Sequence, residues 1–323
     1  MITNRTKRIA VVLAGAAVAM VCWAGGVGAN ESDKVIMYPK PVEVLYNAEK
    51  IQFDVKPKMM NDSVFVPIRF IADKLGGKLE LTGRNLKIVR GKFTLELTIG
   101  SARAKVNGKE LMLRVPVIEE RGRTLVPLQV VNPGLGVAVE WDAASRYVWI
   151  GSKTIRSIDD VGIAVDIKPF LKYYEKAPYL LKTMKNGKEV NYTTVKVLSV
   201  SDLPVKLSDD LTIYGIHNAT VKGEDHVGIR QTYVGEAHRG THVALLTSDK
   251  KARFRPSVGA YTKNYKDQTK HCVYSMYGRD DKYIFGAEPS ITRTINQVEY
   301  IQIDTIFQDS LILIKNPNMV QTQ

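Results

Sequence analysis

The chain predicts an α+β N-terminal domain followed by a mostly β second domain, either a sandwich or a barrel. Three observations predict it. Residues 65–89 (FVPIRFIADKLGGKLELTGRNLKIV) nearly recur as residues 125–150 (LVPLQVVNPGLGVAVEWDAASRYVWI), with Val66-Pro67 and Val126-Pro127 sixty residues apart. Between the copies, Asn107-Gly108 sits inside Val106 to Leu111, the strongest short-range hairpin signal. Beyond residue 190, apolar stretches of strand length alternate with Gly, Pro and Asp-rich turns, the spacing of an all-β domain.

The first 29 residues stand outside these domains. Arg5, Lys7 and Arg8 precede an apolar run from Ile9 to Ala24, and Val27-Gly28-Ala29 supplies small residues. This is the pattern of a secretory signal, expected to be cleaved after Ala29. The run of about 16 residues is short of the roughly 20 that a spanning helix needs. The 323-residue chain has 46 basic and 33 acidic side chains, a formal net charge of +13. Removing the leader would leave +10, and Cys272 as the sole cysteine. No intrachain disulfide can then form, so the 45% hydrophobic composition must supply the stabilising core. Excess positive charge draws an exported protein toward anionic surfaces.

A polar lead with Pro39 and Pro41 spans residues 30–45. The half-repeats occupy residues 46–152. Pro67 suits the first turn of a helix, where its missing N–H has no partner to lose. Ile68, Ile71, Ala72 and Leu75 then fall at i, i+3, i+4 and i+7, one apolar helical face. Gly76-Gly77 should stop that helix. Lys78 to Glu80 and Leu86 to Val89 read as strands around a turn at Thr82 to Asn85, and Phe93 to Ile99 alternates as another. In the second copy Asn132-Pro133 replaces Ala72-Asp73, so residues 127–135 should form a turn or a single helical turn, because interior proline breaks helices. Val137 to Asp142 and Tyr147 to Ile150 are the last strands of this region. Residues 153–165 read as a linker. In residues 166–318, strands are expected at Tyr192 to Val200, Leu211 to Ile216, Val227 to Val234, His242 to Thr247, Tyr283 to Phe285, Gln297 to Ile306 and Leu311 to Ile314, with a helix around Pro169 to Met184.

The repeated segment resembles the copper amine oxidase N-terminal-like, or stalk, domain family. The residues that carry the likeness are Val66, Pro67, Arg69, Phe70, Leu75 and Gly76, then Ile99, Gly100, Val106, Asn107 and Gly108. Gly122, Arg123, Thr124, Val126, Pro127, Leu135, Gly136, Glu140, Trp141 and Asp142 complete it. Leu81-Thr82 replaces the first Trp-Asp of the family pattern, and Gln129 its second Arg. The resemblance implies a small α+β domain with an antiparallel sheet wrapped over one short helix, common in exported proteins of Gram-positive bacteria. It implies no metal ligand, since the copper belongs to a separate catalytic domain. That oxidase builds its quinone from tyrosine in a Thr-x-x-Asn-Tyr-Asp/Glu context and holds copper with His-x-His. Here Tyr261 and Lys266 stand where Thr and the acid should be around Asn264-Tyr265, and His-x-His does not occur.

Other chemistry finds weak footholds. His217, His226, His238, His242 and His271 all lie in the second domain. On a strand, His238 and His242 would be about 13 Å apart, too far to share a metal directly. Ser248-Asp249-Lys250-Lys251 matches Ser-x-x-Lys but follows a strand instead of opening a helix. Cys272 and its neighbour His271 should point to opposite faces of a strand. No residue is assigned as catalytic, none as a metal ligand, and no cofactor is expected.

The strongest interaction signal is residues 250–283, in which cations alternate with tyrosines. Lys250, Lys251, Arg253, Arg255, Tyr261, Lys263, Tyr265 and Lys266 are the candidate polyanion-binding residues. Cations attract phosphate or carboxylate, and aromatic faces stack on sugars or bases. Such long charged side chains are expected at the surface. Anionic wall polymers or glycans are the expected partners, rather than nucleic acid. The expectation is an exported, cell-surface or wall-associated, non-enzymatic protein whose stalk presents a β-rich ligand-binding or structural domain. The alternative is an extracellular hydrolase or other enzyme with its site in the second domain.

Overall fold

The computed structural model describes residues 36–37, 41–232, 241–265, 267–279, 281–286, 294–304 and 309–316. The expected signal segment, residues 1–29, lies outside the described residues, as do His238 and Lys266.

In the N-terminal region the two Val-Pro strands, Ser63–Pro67 and Arg123–Pro127, pair antiparallel, with Val66 directly opposite Val126. The near-repeat is therefore a local two-fold. The helix Ile68–Lys74 follows the first strand and buries Ile68, Ile71 and Ala72, with Leu75 buried just beyond it. The second copy forms a 3-10 turn, Leu128–Val130, and one helical turn, Val131–Leu135. Pro133 is tolerated because it sits in the first turn, where backbone N–H groups have no helical acceptor.

Around these lie three small sheets. One runs Lys109–Met112, Arg103–Val106, Phe93–Thr98, Asn85–Arg90, Lys78–Thr82, all antiparallel. Its Asn107-Gly108 turn has φ of 50° and 80°, the mirror-image geometry that matches the strand twist. The second holds the two Val-Pro strands with Ile118–Glu120 and Lys58–Met60. The third joins Val139–Asp142 to Tyr147–Ile150, and the latter runs parallel to Glu43–Tyr46. One core cluster from Val42 to Ile150 includes Val66 and Val126, Ile71 and Leu135, and Leu95.

The second domain is a sandwich of two sheets. The first comprises Ile36–Met37, Thr212–Val221, Glu224–Thr232, Thr269–Ser275 and Lys263–Asn264, with Val205–Lys206 paired to Thr212–Val221. Thus the polar lead also supplies an edge strand to the distant domain, Ile36 opposite Thr220. The second sheet runs Ala164–Asp166, Thr194–Leu198, Leu311–Lys315, Val298–Ile303, Val243–Thr247, Ala252–Arg255. Ile216, Val227, Ile229, Cys272 and Tyr274 of one sheet share a core cluster with Val243, Leu245, Ile301, Ile303, Ile312 and Ile314 of the other.

The second sheet is covered on its opposite face too. Val195, Ala244, Leu246, Leu311 and Leu313 pack beneath Ile167, Tyr173, Tyr174 and Tyr192. Burial on both faces is why Val243–Thr247 is apolar without alternation. The covering layer differs from expectation. Residues 168–181 form two 3-10 turns, Lys168–Tyr173 and Pro178–Leu181, instead of a helix, and Lys182–Lys185 is a strand paired with Lys188–Asn191. Pro178 bars a continuous helix, and Tyr173 with Tyr174 anchors the first turn flat on the sheet. The expected linker likewise carries a short helix, Ile158–Val161, capped by Ser157, with Ile158 in the sandwich core. Tyr283 to Phe285, expected as a strand, lies in the helix Asp281–Phe285.

Candidate functional site

The candidate basic residues divide between the edges of the two sheets. Strand Ala252–Arg255 is an edge of the second sheet, with Arg253 opposite Leu245 and Arg255 opposite Val243. Leu245 and Val243 face the core between the sheets, and cross-strand partners share a face. Arg253 and Arg255 therefore point inward, and each is only 2% exposed. The surface position expected for them is corrected by the register: alternation places them on the inner side.

Their charge is met there. Arg255 makes a two-pronged contact with Asp281, Nη1 donating to Oδ1 at 3.0 Å and Nη2 to Oδ2 at 2.7 Å. It also donates to the backbone oxygens of Met276 at 3.0 Å and Phe254 at 2.7 Å. Arg253 donates to Asp249 at 2.8 Å, lies 3.7 Å from Asp281, and stacks on the Phe285 ring at 4.6 Å. Burial pushes the Asp249 carboxyl up, but hydrogen bonds from Thr247 and Arg253 more than offset it, so it is held below the usual range. Inward-pointing charge also blunts an edge strand against pairing with other chains.

Lys250 is held by Glu299, at 2.7 and 2.6 Å from its two oxygens, and lies over the Tyr173 ring. Lys251 reaches Asp249 at 3.5 Å and lies over Phe285. Tyr261 is half-buried against Ala219, Val221 and Val273 of the first sheet. Lys263 is exposed and lies over Tyr265 at 5.4 Å. Of the expected polyanion contacts among the described residues, Lys250, Lys251 and Lys263 keep solvent exposure while the two arginines do not.

Tyr265 leads to the most elaborate polar cluster among the described residues. Its hydroxyl and His271 Nδ1 are hydrogen-bonded at 2.9 Å, and its ring stacks on the Arg230 guanidinium at 5.3 Å. Arg230, 1% exposed, also has the Tyr214 ring at 5.4 Å. Its Nε and Nη2 donate to Thr269 Oγ1 at 3.1 and 2.9 Å, and Nη2 donates to Asp267 at 2.6 Å. Nη1 donates to Asp142 Oδ2 at 2.7 Å and to Ser145. Asp142 belongs to the N-terminal domain, where its other oxygen accepts the backbone N–H groups of Ala144 and Ser145. The Trp-Asp turn of the half-repeat is thus the socket for an arginine of the sandwich. Tyr147 donates to the Tyr214 backbone oxygen, and Leu45, Ala48, Tyr147 and Trp149 pack with Ile155 and Tyr214. Burial pushes the Tyr147 hydroxyl well above its usual titration range.

Arg230 was not legible as a site residue. The one signal is a charge placed where Gly228, Ile229 and Val227 read as strand. It lies on the outer face of the first sheet with His217, whose ring stands over Gly228; a Cβ there would meet His217 Nε2 at 2.4 Å. His217 and His271 meet edge to face at 4.5 Å. Cys272 points to the opposite face from His271 and is fully buried, which pushes its thiol up and leaves it a poor nucleophile. Ser248 to Lys251 forms a turn closed by Thr247 and Lys251, not a helix start. Among the described residues no group of three His, Cys, Asp or Glu side chains could hold a metal ion.

Residues 30–150 match the family model of the copper amine oxidase N-terminal domain. The matched part is the N-terminal domain of that family and not its catalytic domain. No curated protein matches the chain.

Proposed function

We propose that the protein is exported and acts without catalysis at the cell surface or wall, its stalk domain carrying the sandwich as a ligand-binding or structural module. One observation supports this reading most. The buried polar cluster around Arg230 fixes the sandwich to the stalk through Asp142 and Ser145. The buried arginines at the sheet edge are likewise spent on Asp249 and Asp281. The leader-like residues 1–29 and the family match to a non-catalytic domain agree with it. The polyanion contact falls to the exposed cations Lys250 and Lys263 and the half-exposed Lys251, and anionic wall polymers or glycans are its ligands. Fractionation of cells into medium, wall and membrane tests this. Protein starting at Asn30 in the wall or medium supports it, and protein retaining Met1 inside the cell overturns it. Exchange of Lys250, Lys251 and Lys263 for Glu should weaken wall binding, and rising salt should do the same.

A further inference from the structure

The layer over the second sheet is unlike the rest of the surface. Of twelve exposed large hydrophobic side chains among the described residues, six fall in residues 163–190: Ile163, Val165, Leu171, Tyr179, Met184 and Val190. Ile163 is 83% exposed. They belong to the segment that covers the outer face of the second sheet. Val165 lies opposite Val195, whose side chain is in the cluster on the outer face of the sheet. The 3-10 turns press Tyr173 and Tyr174 down on that face and leave Leu171 and Tyr179 outward. The hairpin Lys182–Lys185 with Lys188–Asn191 is exposed along nearly its whole length; its register puts Met184 on one face with Lys182, and Val190 on the other with Lys185 and Lys188.

The same residues are basic. Residues 163–191 hold Lys168, Lys172, Lys176, Lys182, Lys185 and Lys188 against Asp166, Glu175 and Glu189. All six lysines are exposed. Lys182 pairs with Glu189, and Lys185 with Asp309 at 3.0 Å, but exposed pairs of this kind are weak and can exchange partners. The stalk is fixed on the outer face of the first sheet, so this layer is on the side of the sandwich away from it.

We propose that this face docks on the surface of an anionic lipid bilayer. A soluble polyanion would need the lysines alone. Apolar side chains standing among lysines match a bilayer, where headgroup charge attracts the cations and the interface takes the apolar groups. The contact is peripheral: no helix of the described residues is long and apolar enough to cross a membrane. The proposal rests on other residues than the wall-binding lysines, of which Lys250 adjoins this layer over Tyr173, and does not depend on the protein being exported.

The test is sedimentation of the full chain with vesicles of phosphatidylcholine containing phosphatidylglycerol, compared with phosphatidylcholine alone. All variants are compared in the full chain, so that any contribution of Ile9 to Ala24 is common to them. Binding is expected to the anionic vesicles and to fall with salt. Lys182, Lys185 and Lys188 changed together to Gln should weaken it on the order of a hundredfold, at about fivefold per lysine. Leu171→Ser with Met184→Ser should weaken it as well, with the circular dichroism spectrum unchanged because both sites are exposed. Lys87→Gln with Lys105→Gln, on the stalk, should leave it intact. A polarity-sensitive dye on Met184→Cys should shift to the blue with anionic vesicles, and one on Met112→Cys should not. Absence of anionic-vesicle binding overturns the proposal. So does equal loss in the stalk variant, which would mean diffuse charge. Undiminished binding by the Leu171/Met184 variant, with equal binding to soluble polyglutamate, would assign the face to polyanions instead.

Discussion

Two clusters of buried arginine hold this molecule, and they differ in where their partners come from. Arg253 and Arg255 reach Asp249 and Asp281, four and 26 residues away in the chain. Arg230 reaches Asp267, 37 residues on, and also Asp142, 88 residues back in the other domain. The partners match in exposure: each cluster has one nearly buried and one half-exposed carboxylate, Asp281 at 12% with Asp249 at 46%, and Asp142 at 16% with Asp267 at 54%. The first cluster closes an edge of the sandwich and belongs to its core. The second is completed only when both domains are in place, because Asp142 and Ser145 come from the other domain. The same guanidinium chemistry thus serves cohesion in one region and coupling in the other.

The largest effect should come from breaking the edge cluster. Asp281→Asn leaves two buried guanidinium groups facing one half-exposed carboxylate, Asp249. Removing one partner of a buried pair costs about 3–5 kcal/mol because the other stays uncompensated. Thermal or denaturant unfolding should therefore shift strongly down. Removing both charges, Arg255→Met with Asp281→Leu, should recover part of the loss. A double variant worse than Asp281→Asn alone would show that the pair contributes geometry beyond charge balance, and an unchanged Asp281→Asn would end the argument.

Arg230→Met should cost less, about 1–3 kcal/mol, the range of lost hydrogen bonds, because the carboxylates left behind can reach water. Its signature should be loss of coupling. The parent should unfold in a single calorimetric transition, and the variant should separate into two or become more readily cleaved by protease near Ser152 to Ile155. A double-mutant cycle with Asp142→Asn measures the link across the domain boundary directly. Additive effects there would reduce the Arg230 cluster to a local feature of the sandwich.

These clusters also mark where reading the sequence stopped. The Asn107-Gly108 hairpin, the helix after Pro67 and the single helical turn around Pro133 were legible because each is decided within a few residues. So was the opposite orientation of His271 and Cys272. The inward register of Arg253 and Arg255 was not, because Ala252 to Arg255 alternates apolar with charged residues and by itself reads with its arginines outward; the pairing with Val243–Thr247 fixes the opposite face inside. Tyr283 to Phe285 has strand-like aromatics, yet Asp281, bound by Arg255 and accepting the N–H of Gly278, starts a helix there. Propensity lost to a tertiary contact. The socket for Arg230 had no local signature, since its hydrogen-bonding groups lie 37 to 88 residues from it along the chain.

The smallest effect separates the carboxylates by sign. Asp249 and Asp267 are both held below the usual range: burial raises each, but their hydrogen bonds and arginine partners win. Such groups stabilise the fold above their ordinary value, and that contribution is lost as pH falls through the lowered one. Asp304 behaves oppositely. Burial raises its carboxyl, and His242, 3.9 Å away, only partly offsets this. A raised acid adds stability below its ordinary value of 3.8 and loses it as pH climbs through the raised value. At neutral pH the ionised Asp304 is therefore a cost. Asp304→Asn should raise the unfolding temperature slightly at pH 7, by an amount within the roughly 0.5 kcal/mol typical of surface changes. It should bring no gain near pH 3, where the acid is already protonated. Asp267→Asn should show the reverse, a loss at pH 7 that vanishes in acid. If Asp304→Asn instead lowers stability at neutral pH, the attraction to His242 outweighs burial, and the sign assigned to this carboxylate is wrong.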